Sequence, residues 1–596
     1  MAITKNDLHE QFADFFQEEA VKPFAYLLSK RLQEGHICVD MREGIYNLGE
    51  MPYTFPEKPE QVLKHLKSVS TDAMEPRPFV LHQHKLYFHR YFQYETNILD
   101  AIKRMLHNEA QTIHARLASL ETIQDLIISL RDNSDISGLS QNEQIDWQLI
   151  AALSAVLHDF TIITGGPGTG KTTTVAKVLA MLFAIHPNMR VALAAPTGKA
   201  AVRMADSLKE TTLDLPDEIR QKFNQLVPGT LHRLLQYVPN TIYFKHDAQH
   251  PLPYDVIIVD EASMIDVPMF AKLLQAVPDH ARIIMLGDKN QLASVEAGSI
   301  LGDLCKSHAA VNVFQDATAQ LLNKFIEADA KKIQPPFIGN VNHLLREHII
   351  ELQRSRRFTS SSGIGKLSKA VIENDETVLS ELCDKHNGAE VQVLQEEDPV
   401  SFENFVLGYQ YFIQEKDIQK ALQLLNQYRV LVAVREGDRG LYAINERIEL
   451  ILKKKGWIRP DQDFYENRPV IVTKNFPDLN LYNGDVGIVR ADANGQLRVW
   501  FEDAQKKIRS VMPGYISGAE TVFAMTIHKS QGSEYDHIWV VLPKVADHQL
   551  LTRELLYTAI TRAKKTVVVQ ASKELMVHTA SISVKRSSGI NGRFNA

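Results

Sequence analysis

A glycine-rich run from Gly165 to Thr172 carries the residue types and spacing most able to do chemistry. It reads GGPGTGKT and fits the pattern GxxxxGK followed by Ser or Thr, in which backbone N–H groups face a phosphate at a helix N-terminus. An apolar run precedes it at Phe160–Ile163 and a helix-like run follows at Thr173–Phe183, so we expect a strand, a loop and a helix. Lys171 would reach the β- and γ-phosphates, and the Thr172 hydroxyl would ligate Mg²⁺. The run therefore predicts a nucleoside triphosphate site.

Each residue of this loop, and the residue after it, is a candidate for contact with the nucleotide. Glycine at positions 165, 168 and 170 permits positive φ angles and a close approach of backbone to phosphate. The predicted nucleotide contacts in this run are Gly165, Gly166, Pro167, Gly168, Thr169, Gly170, Lys171, Thr172 and Thr173.

A second run supplies the acids that hydrolysis requires. Val256–Met264 reads VIIVDEASM, in which four apolar β-formers predict a buried parallel strand with carboxylates at its C-terminal edge. Asp260 suits a Mg²⁺ position, and Glu261 suits the residue that orients or deprotonates the attacking water. A third predicted strand, Arg282–Leu286, ends shortly before Gln291, a candidate sensor of the γ-phosphate. The three strand ends converge on one phosphate.

Further blocks follow in a fixed order along the chain. They are APTGKAA at 195–201, TLHRLL at 230–235, LGDKNQLASVEAG at 286–298, LQRSRRF at 352–358, TIHKSQGSEYD at 526–536 and LLYTAITRA at 555–563. Their order and spacing resemble the motif set of superfamily-one DNA helicases. Their wording is similar to the RecD family, the alpha subunits of exodeoxyribonuclease V, the RecBCD enzyme. The resemblance runs from about Val21 to the C-terminus.

The resemblance implies further roles at the nucleotide. Gln148 matches the glutamine that reads the adenine edge, and Arg357 and Arg562 match two arginines that reach the γ-phosphate from the second motor domain. Such arginine fingers stabilise charge that develops in the transition state. Arg356 stands where the family usually has an aromatic residue, so the finger of this block could be Arg356 or Arg357, and we predict Arg357.

The resemblance also implies contacts with DNA at the edges of both predicted motor domains. Hydroxyls and backbone N–H groups there can hold phosphates without reading bases. The candidates are Thr197, Thr230 and His232 on the first domain and Thr526, His528 and Gln531 on the second.

The patterns and the resemblance together imply an α/β protein with two RecA-like parallel-sheet motor domains. Helical periodicity predicts a helical domain at 1–140, which by resemblance docks on a partner subunit. We expect the first motor domain at 141–345, with no role assigned to 310–345, and the second at 346–596. Short β-runs and an Asn-Gly turn at 494–495 predict inserted β-structure at about 469–515, and the resemblance implies that it is a small SH3-like β-barrel.

Composition adds limits to this interpretation. The chain of 596 residues has a net charge of −6, so contact with DNA must come from local basic clusters. Its three cysteines, Cys38, Cys305 and Cys383, lack CxxC spacing and are expected to be reduced and mostly buried. The N-terminal residues lack a signal-length apolar core, and no run approaches the about 18 apolar residues of a membrane span. A bacterial cytoplasmic location is therefore expected.

The resulting hypothesis is a helicase that uses ATP and Mg²⁺ to move 5′ to 3′ on single-stranded DNA. The resemblance implies that it works with RecB-like and RecC-like subunits on duplex ends, in double-strand break repair by homologous recombination. Two alternatives remain open at this point: a stand-alone helicase, and a regulatory ATPase subunit whose motor is dispensable. We find no metal-binding Asp and Glu-x-Lys arrangement, so nuclease activity is expected in a partner subunit.

Overall fold

The computed structural model describes residues 7–42, 51–72, 75–306, 311–340, 343–358, 362–384, 388–503, 506–544 and 550–594. Four sheets organise these residues: one in the N-terminal region, one in each motor domain and one inserted into the second motor domain. No helix in these ranges is both long and apolar enough to cross a membrane. Cys38, Cys305 and Cys383 are free and buried, as expected.

The N-terminal region is not purely helical, which corrects the prediction for 1–140. A four-stranded sheet in the order β1-β4-β3-β2 packs beside its helices. Its strands have only two to four residues, too short to show a clear alternation of apolar and polar positions. The elements are α1 (Leu8–Asp14), α2 (Lys22–Gln33), β1 (Cys38–Asp40), α3 (Pro59–Leu63), β2 (Val69–Ser70), β3 (Phe79–His82), β4 (Lys85–Phe88), α4 (His89–Thr122), α5 (Gln124–Ser129) and α6 (Gln141–Gln144).

The first motor domain is built on a six-stranded parallel sheet in the order β10-β5-β9-β8-β6-β7. Its central strands are buried along their whole length, as expected when helices cover both faces. The elements are α7 (Trp147–Leu157), β5 (Phe160–Thr164), α8 (Lys171–Ile185), β6 (Val191–Ala195), α9 (Gly198–Lys209), α10 (Asp217–Gln225), β7 (Pro228–Thr230), α11 (Leu231–Leu234), β8 (Val256–Val259), α12 (Val267–Ala276), β9 (Arg282–Gly287), α13 (Ile300–Lys306), α14 (Asp316–Asn323) and β10 (Ile349–Glu351).

Strand β10 moves the boundary between the motor domains. It pairs in parallel with β5, with Ile350 opposite Ile163, so it belongs to the first sheet although we placed residue 346 at the start of the second domain. The segment before it, left unassigned in the sequence, also belongs to the first domain, because Phe314, Leu322 and Phe325 pack in its core. The first motor domain therefore extends to Glu351.

The second motor domain has a five-stranded parallel sheet in the order β11-β20-β19-β12-β18. Between α20 and β18, five antiparallel strands, β13 to β17, form the insertion. The elements are α15 (Gly363–Glu373), α16 (Glu376–Asp384), β11 (Val391–Leu394), α17 (Pro399–Val406), α18 (Gln410–Gln414), α19 (Ile418–Leu425), β12 (Tyr428–Val432), α20 (Leu441–Lys454), β13 (Pro469–Val472), β14 (Val486–Ala491), β15 (Leu497–Glu502), β16 (Ile508–Val511), β17 (Ala519–Thr521), β18 (Ala524–Thr526), β19 (Tyr535–Val541), α21 (Arg553–Thr561), β20 (Ala563–Gln570), α22 (Lys573–Ser581) and α23 (Ile590–Phe594).

The insertion keeps the predicted hairpin but runs further than predicted. Gly495 has a φ of +77° and its N–H donates to Asp492 O at 3.0 Å, which closes the turn between β14 and β15. The fifth strand, β17, pairs with β13 and carries the insertion to Thr521 instead of 515. In the described ranges β16 and β17 lie at opposite ends of the sheet, so closure into a barrel stays a prediction.

Helix α4 packs in the hydrophobic core of the first motor domain. Ile98, Leu99 and Ile102 are buried in one core with α12 and the sheet. In the C-terminal half of α4, Glu109 accepts hydrogen bonds from His158 at 3.2 Å and from His348 at 2.7 Å. His158 lies shortly before β5, and His348 lies directly before β10. Burial opposes the charge of Glu109, but these two histidines outweigh it and lower the pKa of Glu109. A cut at residue 140 would therefore remove part of the motor core.

The C-terminal segment after α22 returns to the first motor domain. Arg586 Nη1 donates to the carbonyl oxygens of Glu296 at 3.0 Å and Gly298 at 2.7 Å. Gly589 N donates to Glu95 Oε1 of α4 at 2.7 Å, and α23 buries Phe594 in the core that α4 shares. The chain end thus straps the second motor domain to the first.

Ile102→Ala tests the assignment of α4 to the motor core. We expect the free energy of unfolding to fall by about 2–5 kcal/mol, because a fully buried isoleucine is truncated in a packed core. Urea denaturation followed by circular dichroism measures it. Asp100→Ala, on the exposed side of the same helix, should change it by no more than about 0.5 kcal/mol. Equal effects of the two substitutions would show that α4 does not contribute to that core.

Candidate active site

The phosphate-binding loop lies between β5 and α8, as the sequence predicts. Gly168 and Gly170 have φ angles of +75° and +87°, in the region that favours glycine. Gly165 does not have a positive φ angle, which corrects the prediction for this residue. A Cβ at position 165 would lie 2.7 Å from Thr169 Oγ1, so close packing is what favours glycine there. Lys171 Nζ donates to the carbonyl oxygens of Gly165 at 2.6 Å and Gly166 at 3.2 Å. The ammonium group is therefore held over the loop itself.

Gln148, near the start of α7, contacts this loop from outside. Its Nε2 donates to Thr169 O at 3.0 Å, and a Cβ at Gly170 would overlap the same amide. Its Oε1 is buried and has no hydrogen-bond partner among the described residues. An amide beside the loop with an unused acceptor fits the predicted contact with an adenine edge.

The two predicted acids follow β8 directly. Asp260 N donates to Ala194 O at 2.9 Å, and Asp260 Oδ1 accepts from Glu261 N at 2.8 Å. Glu261 has a φ of +53°, so the chain turns sharply at this acid. Burial and the charge of Glu261 raise the pKa of Asp260 to about 6. Two adjacent carboxylates at the end of a buried strand form a donor set that fits a hard cation such as Mg²⁺.

A network of buried hydrogen bonds crosses the cleft between the motor domains. Gln291 Nε2 donates to Asp288 Oδ2 at 3.0 Å, while Gln291 Oε1 accepts from Arg562 Nη2 at 2.8 Å. Tyr557 OH donates to the same Asp288 oxygen at 3.0 Å. Burial raises the pKa of Asp288. Gln291 and Arg562 therefore meet in the cleft, while their contact with the γ-phosphate stays a prediction. Asp288 and Tyr557 stand in two of the quoted blocks but were not among the predicted site residues.

The next residue of the same loop extends this network. Leu292 N donates to Thr558 Oγ1 at 2.9 Å, and Leu292 O accepts from Gln531 Nε2 at 2.9 Å. Gln531 is buried, so its amide occupies the interface between the motor domains instead of the DNA contact we predicted. The reason is that its turn, after β18, faces the first motor domain.

Arg357 follows β10, which is the edge strand of the first sheet. It lies six residues after β10 and precedes Phe358, which packs in the core of the second motor domain, so it lies on the linker between the two motor domains. The linker is attached to the phosphate-binding loop, because Ser355 Oγ donates to Pro167 O at 2.9 Å and Arg356 N donates to Gly168 O at 2.8 Å. A Cβ at Gly168 would overlap Cβ of Arg357. The absence of a side chain at Gly168 is what lets this arginine pack on the loop.

The two arginines of this block point to different partners. Arg356 Nη2 lies 2.8 Å from Asp132 Oδ2, outside the cleft, and its side chain is half exposed. Arg357 Nη1 lies 2.8 Å from Glu534 Oε1, a residue of the second motor domain, and its side chain is more buried. The arrangement favours Arg357 as the residue that faces the nucleotide.

The remaining predicted DNA contacts lie at the carboxyl ends of strands. Thr197 caps α9 by accepting from Ala200 N, and Thr230 caps α11 by accepting from Arg233 N, both at 3.3 Å. A Cβ at Gly532 of the second motor domain would lie 3.5 Å from Thr197 Oγ1, so the edges of the two sheets meet there.

The other three candidates are partly engaged within the protein. Thr526 Oγ1, at the end of β18, accepts from Lys529 N at 3.3 Å. His232 packs on Phe244 with ring centroids 5.7 Å apart. Burial lowers the pKa of both His232 and His528. Their contact with DNA stays a prediction.

Comparisons with known proteins agree with this architecture. The AAA domain profile matches residues 148–297 and the UvrD-like helicase C-terminal domain matches residues 521–570. RecBCD enzyme subunit RecD of Haemophilus influenzae is 33% identical over 88% of this chain and 82% of its own. RecBCD enzyme subunit RecD of Mycolicibacterium smegmatis is 34% identical over 92% of this chain and 89% of its own. The ATP-dependent RecD2 DNA helicase of Deinococcus radiodurans is 28% identical over 68% of this chain and 46% of its own.

Among solved structures, a Bacteroides Pif1 bound to single-stranded DNA is 18% identical and covers 74% of this chain and 94% of its own. Its TM-score of 0.35 is too low to support any argument about this chain. The phosphate-binding loop, the acids after β8 and the arginine that meets Gln291 from a second parallel sheet define a helicase motor of superfamily one. Within that class, the identity to RecD proteins over most of the chain is decisive. The chain belongs to the RecD family of DNA helicases.

Substitution of the two neighbouring arginines tests their assignment. Arg357→Ala should lower the turnover of ATP by roughly 10³-fold with little loss of ATP affinity, because a finger acts on the transition state. Arg356→Ala should have a much smaller effect, since its side chain pairs with Asp132. Steady-state ATPase assays with single-stranded DNA measure both. A reversed order would assign the finger to Arg356.

Proposed function

We propose that this chain is the alpha subunit of a RecBCD-type exodeoxyribonuclease V in the bacterial cytoplasm, and that it moves 5′ to 3′ on single-stranded DNA. Its ATP-dependent helicase class follows from its family. The identity to RecD subunits over most of the chain supports the assignment to the complex, and the buried contact of Gln291 with Arg562, which joins the two motor domains, supports the motor.

At the nucleotide, each residue has a distinct task in this proposal. Lys171 binds the β- and γ-phosphates, and Thr172 and Asp260 would hold Mg²⁺, which supplies charge neutralisation on the phosphate oxygens. Glu261 orients the attacking water and accepts its proton. Arg357 and Arg562 neutralise charge on the transferred group, so both must lie in the cleft when hydrolysis occurs.

Movement on DNA follows from the same contacts. The loop at 288–292 is bonded to Thr558 and Gln531, so a change at the γ-phosphate alters the fit between the domains. Thr197 and Thr230 on one domain and Thr526 and His528 on the other would hold backbone phosphates in turn. Alternating grip by the two domains then moves the strand in one direction.

The N-terminal region offers a surface for a partner. Phe15, at the end of α1, is 84% exposed and Leu8 is 69% exposed, which is unusual for large apolar side chains on one short helix. We propose that this surface docks on a RecC-like subunit, in a heterotrimer with a RecB-like subunit that carries the nuclease. A stand-alone helicase would leave that surface in water, and a purely regulatory subunit would not require the complete set of catalytic residues.

Lys171→Ala tests the motor. We expect loss of DNA-stimulated ATPase activity with an unchanged thermal unfolding midpoint, because Lys171 directs its ammonium group to the loop carbonyls and to phosphate and not to the core. Strand displacement on substrates with either a 5′ or a 3′ overhang reads out the direction for the wild type. Wild-type ATPase activity in the variant, or unwinding from 3′ overhangs alone, would contradict the proposal.

The exposed residues of α1 test the partner. Phe15→Glu combined with Leu8→Glu should abolish co-purification with RecB-like and RecC-like chains while ATPase activity of the chain persists. Val400→Glu, at a similarly exposed apolar residue of the second motor domain, is the matched control and should leave association intact. Retained association of the double variant would move the docking surface elsewhere.

A further inference from the structure

One acid in the cleft, Glu534, is not used by the reaction described above. It precedes β19 in the second motor domain, and its side chain is only 15% exposed. Its Oε1 lies 2.8 Å from Arg357 Nη1, and the same oxygen forms an ion pair with Arg203 of α9. A single carboxylate of the second domain therefore holds two arginines that come from the first domain and its linker.

The surrounding charges place this cluster beside the phosphate end of the site. Burial opposes the charge of Arg203, but Glu534, Glu261 and Asp260 outweigh it and raise the pKa of Arg203. Burial likewise opposes the charge of Glu534, yet Arg203, Arg357 and Arg562 lower the pKa of Glu534 to about 2. Glu534 is therefore ionised at neutral pH, among the arginines that the γ-phosphate would need.

The contact between Arg357 and Glu534 is an ion pair without hydrogen-bond alignment. Arg357 Nη1 is buried and has no aligned acceptor among the described residues, so attraction between charges holds it in place. Guanidinium groups bind most strongly when two donors meet two oxygens in one plane. An anion that offers several oxygens in better alignment can therefore take the arginine from this carboxylate.

We propose that Glu534 is a positioning residue whose carboxylate holds Arg357 beside the phosphate-binding loop until the γ-phosphate of ATP replaces it. This inference rests on the proposed role of Arg357 as a finger. Carboxylate and γ-phosphate compete for one guanidinium, so Glu534 lowers the affinity for a nucleoside triphosphate. ADP has no γ-phosphate and does not enter the competition. The pair with Arg203 remains and keeps Glu534 attached to α9.

Glu534→Gln in the full-length chain tests this competition. The two probes are the β,γ-imido analogue of ATP and ADP, each with Mg²⁺, with dissociation constants from fluorescence titration. We expect the analogue to bind about three- to tenfold more tightly, as for loss of one partly buried ion pair, and ADP to bind as before. A merely structural role would weaken both ligands together. An unchanged ratio of the two constants, or equal losses, would overturn the inference.

A matched control comes from the same domain. Glu520 also holds two cations, with Arg435 at 2.7 Å and Lys529 at 2.9 Å, but it contacts neither the loop nor the linker. Glu520→Gln should leave the ratio unchanged. If Glu534→Gln does not fold, Glu534→Asp keeps a negative charge in the cleft but shortens its reach to both arginines. Its ratio should shift in the same direction by a smaller amount, and no shift would count against the inference.

Arg357→Ala separates this inference from the proposed function. In that background Glu534→Gln should no longer change the ratio, because the shared arginine is gone. If Arg357→Ala alone leaves turnover intact, the finger itself is wrong. If it lowers turnover while Glu534→Gln leaves the ratio unchanged, only the role of Glu534 is wrong.

Discussion

The buried carboxylate of Asp288 holds the two motor domains in register, because it accepts one hydrogen bond from each of them. Gln291 donates from the first domain and Tyr557 from the second. A carboxylate that is stripped of water is tolerated only when such donors surround it, and loss of one donor leaves an uncompensated group. The closed arrangement is therefore cooperative. Arg562 depends on it in turn, since the amide that Asp288 fixes presents its oxygen to this arginine.

The rigidity that this network needs comes from distant parts of the chain. Helix α4 packs from the N-terminal side, where Glu109 ties it to the residues near the starts of β5 and β10, the two strands that lead to the loop and to Arg357. The C-terminal segment closes over the same core through Arg586 and Phe594. The first motor domain is thus assembled from three separate stretches of the chain.

The local parts of the site could be predicted because their signals are contiguous. The strand before the loop, the strand before Asp260 and the hairpin at Gly495 all lie where their patterns indicated. The boundary at 345 was wrong because β10 has three residues and pairs with a strand almost two hundred positions earlier. Gln531 was misassigned for a related reason: a polar residue in a turn shows nothing of the direction its side chain takes. Register and orientation over such distances are set by packing, not by local sequence.

Because β10 and β5 are neighbouring strands, Arg357 and Arg562 are attached to the motor domains in different ways. Arg357 and the phosphate-binding loop leave neighbouring strands of one sheet, and the linker is bonded to the loop at Pro167 and Gly168. These bonds tie the backbone of the linker to the first motor domain. Arg562 belongs wholly to the other domain and departs with it. If both arginines act as proposed, a half-open motor would keep one cation beside the bound phosphate while the second cation, which completes the catalytic set, is withdrawn.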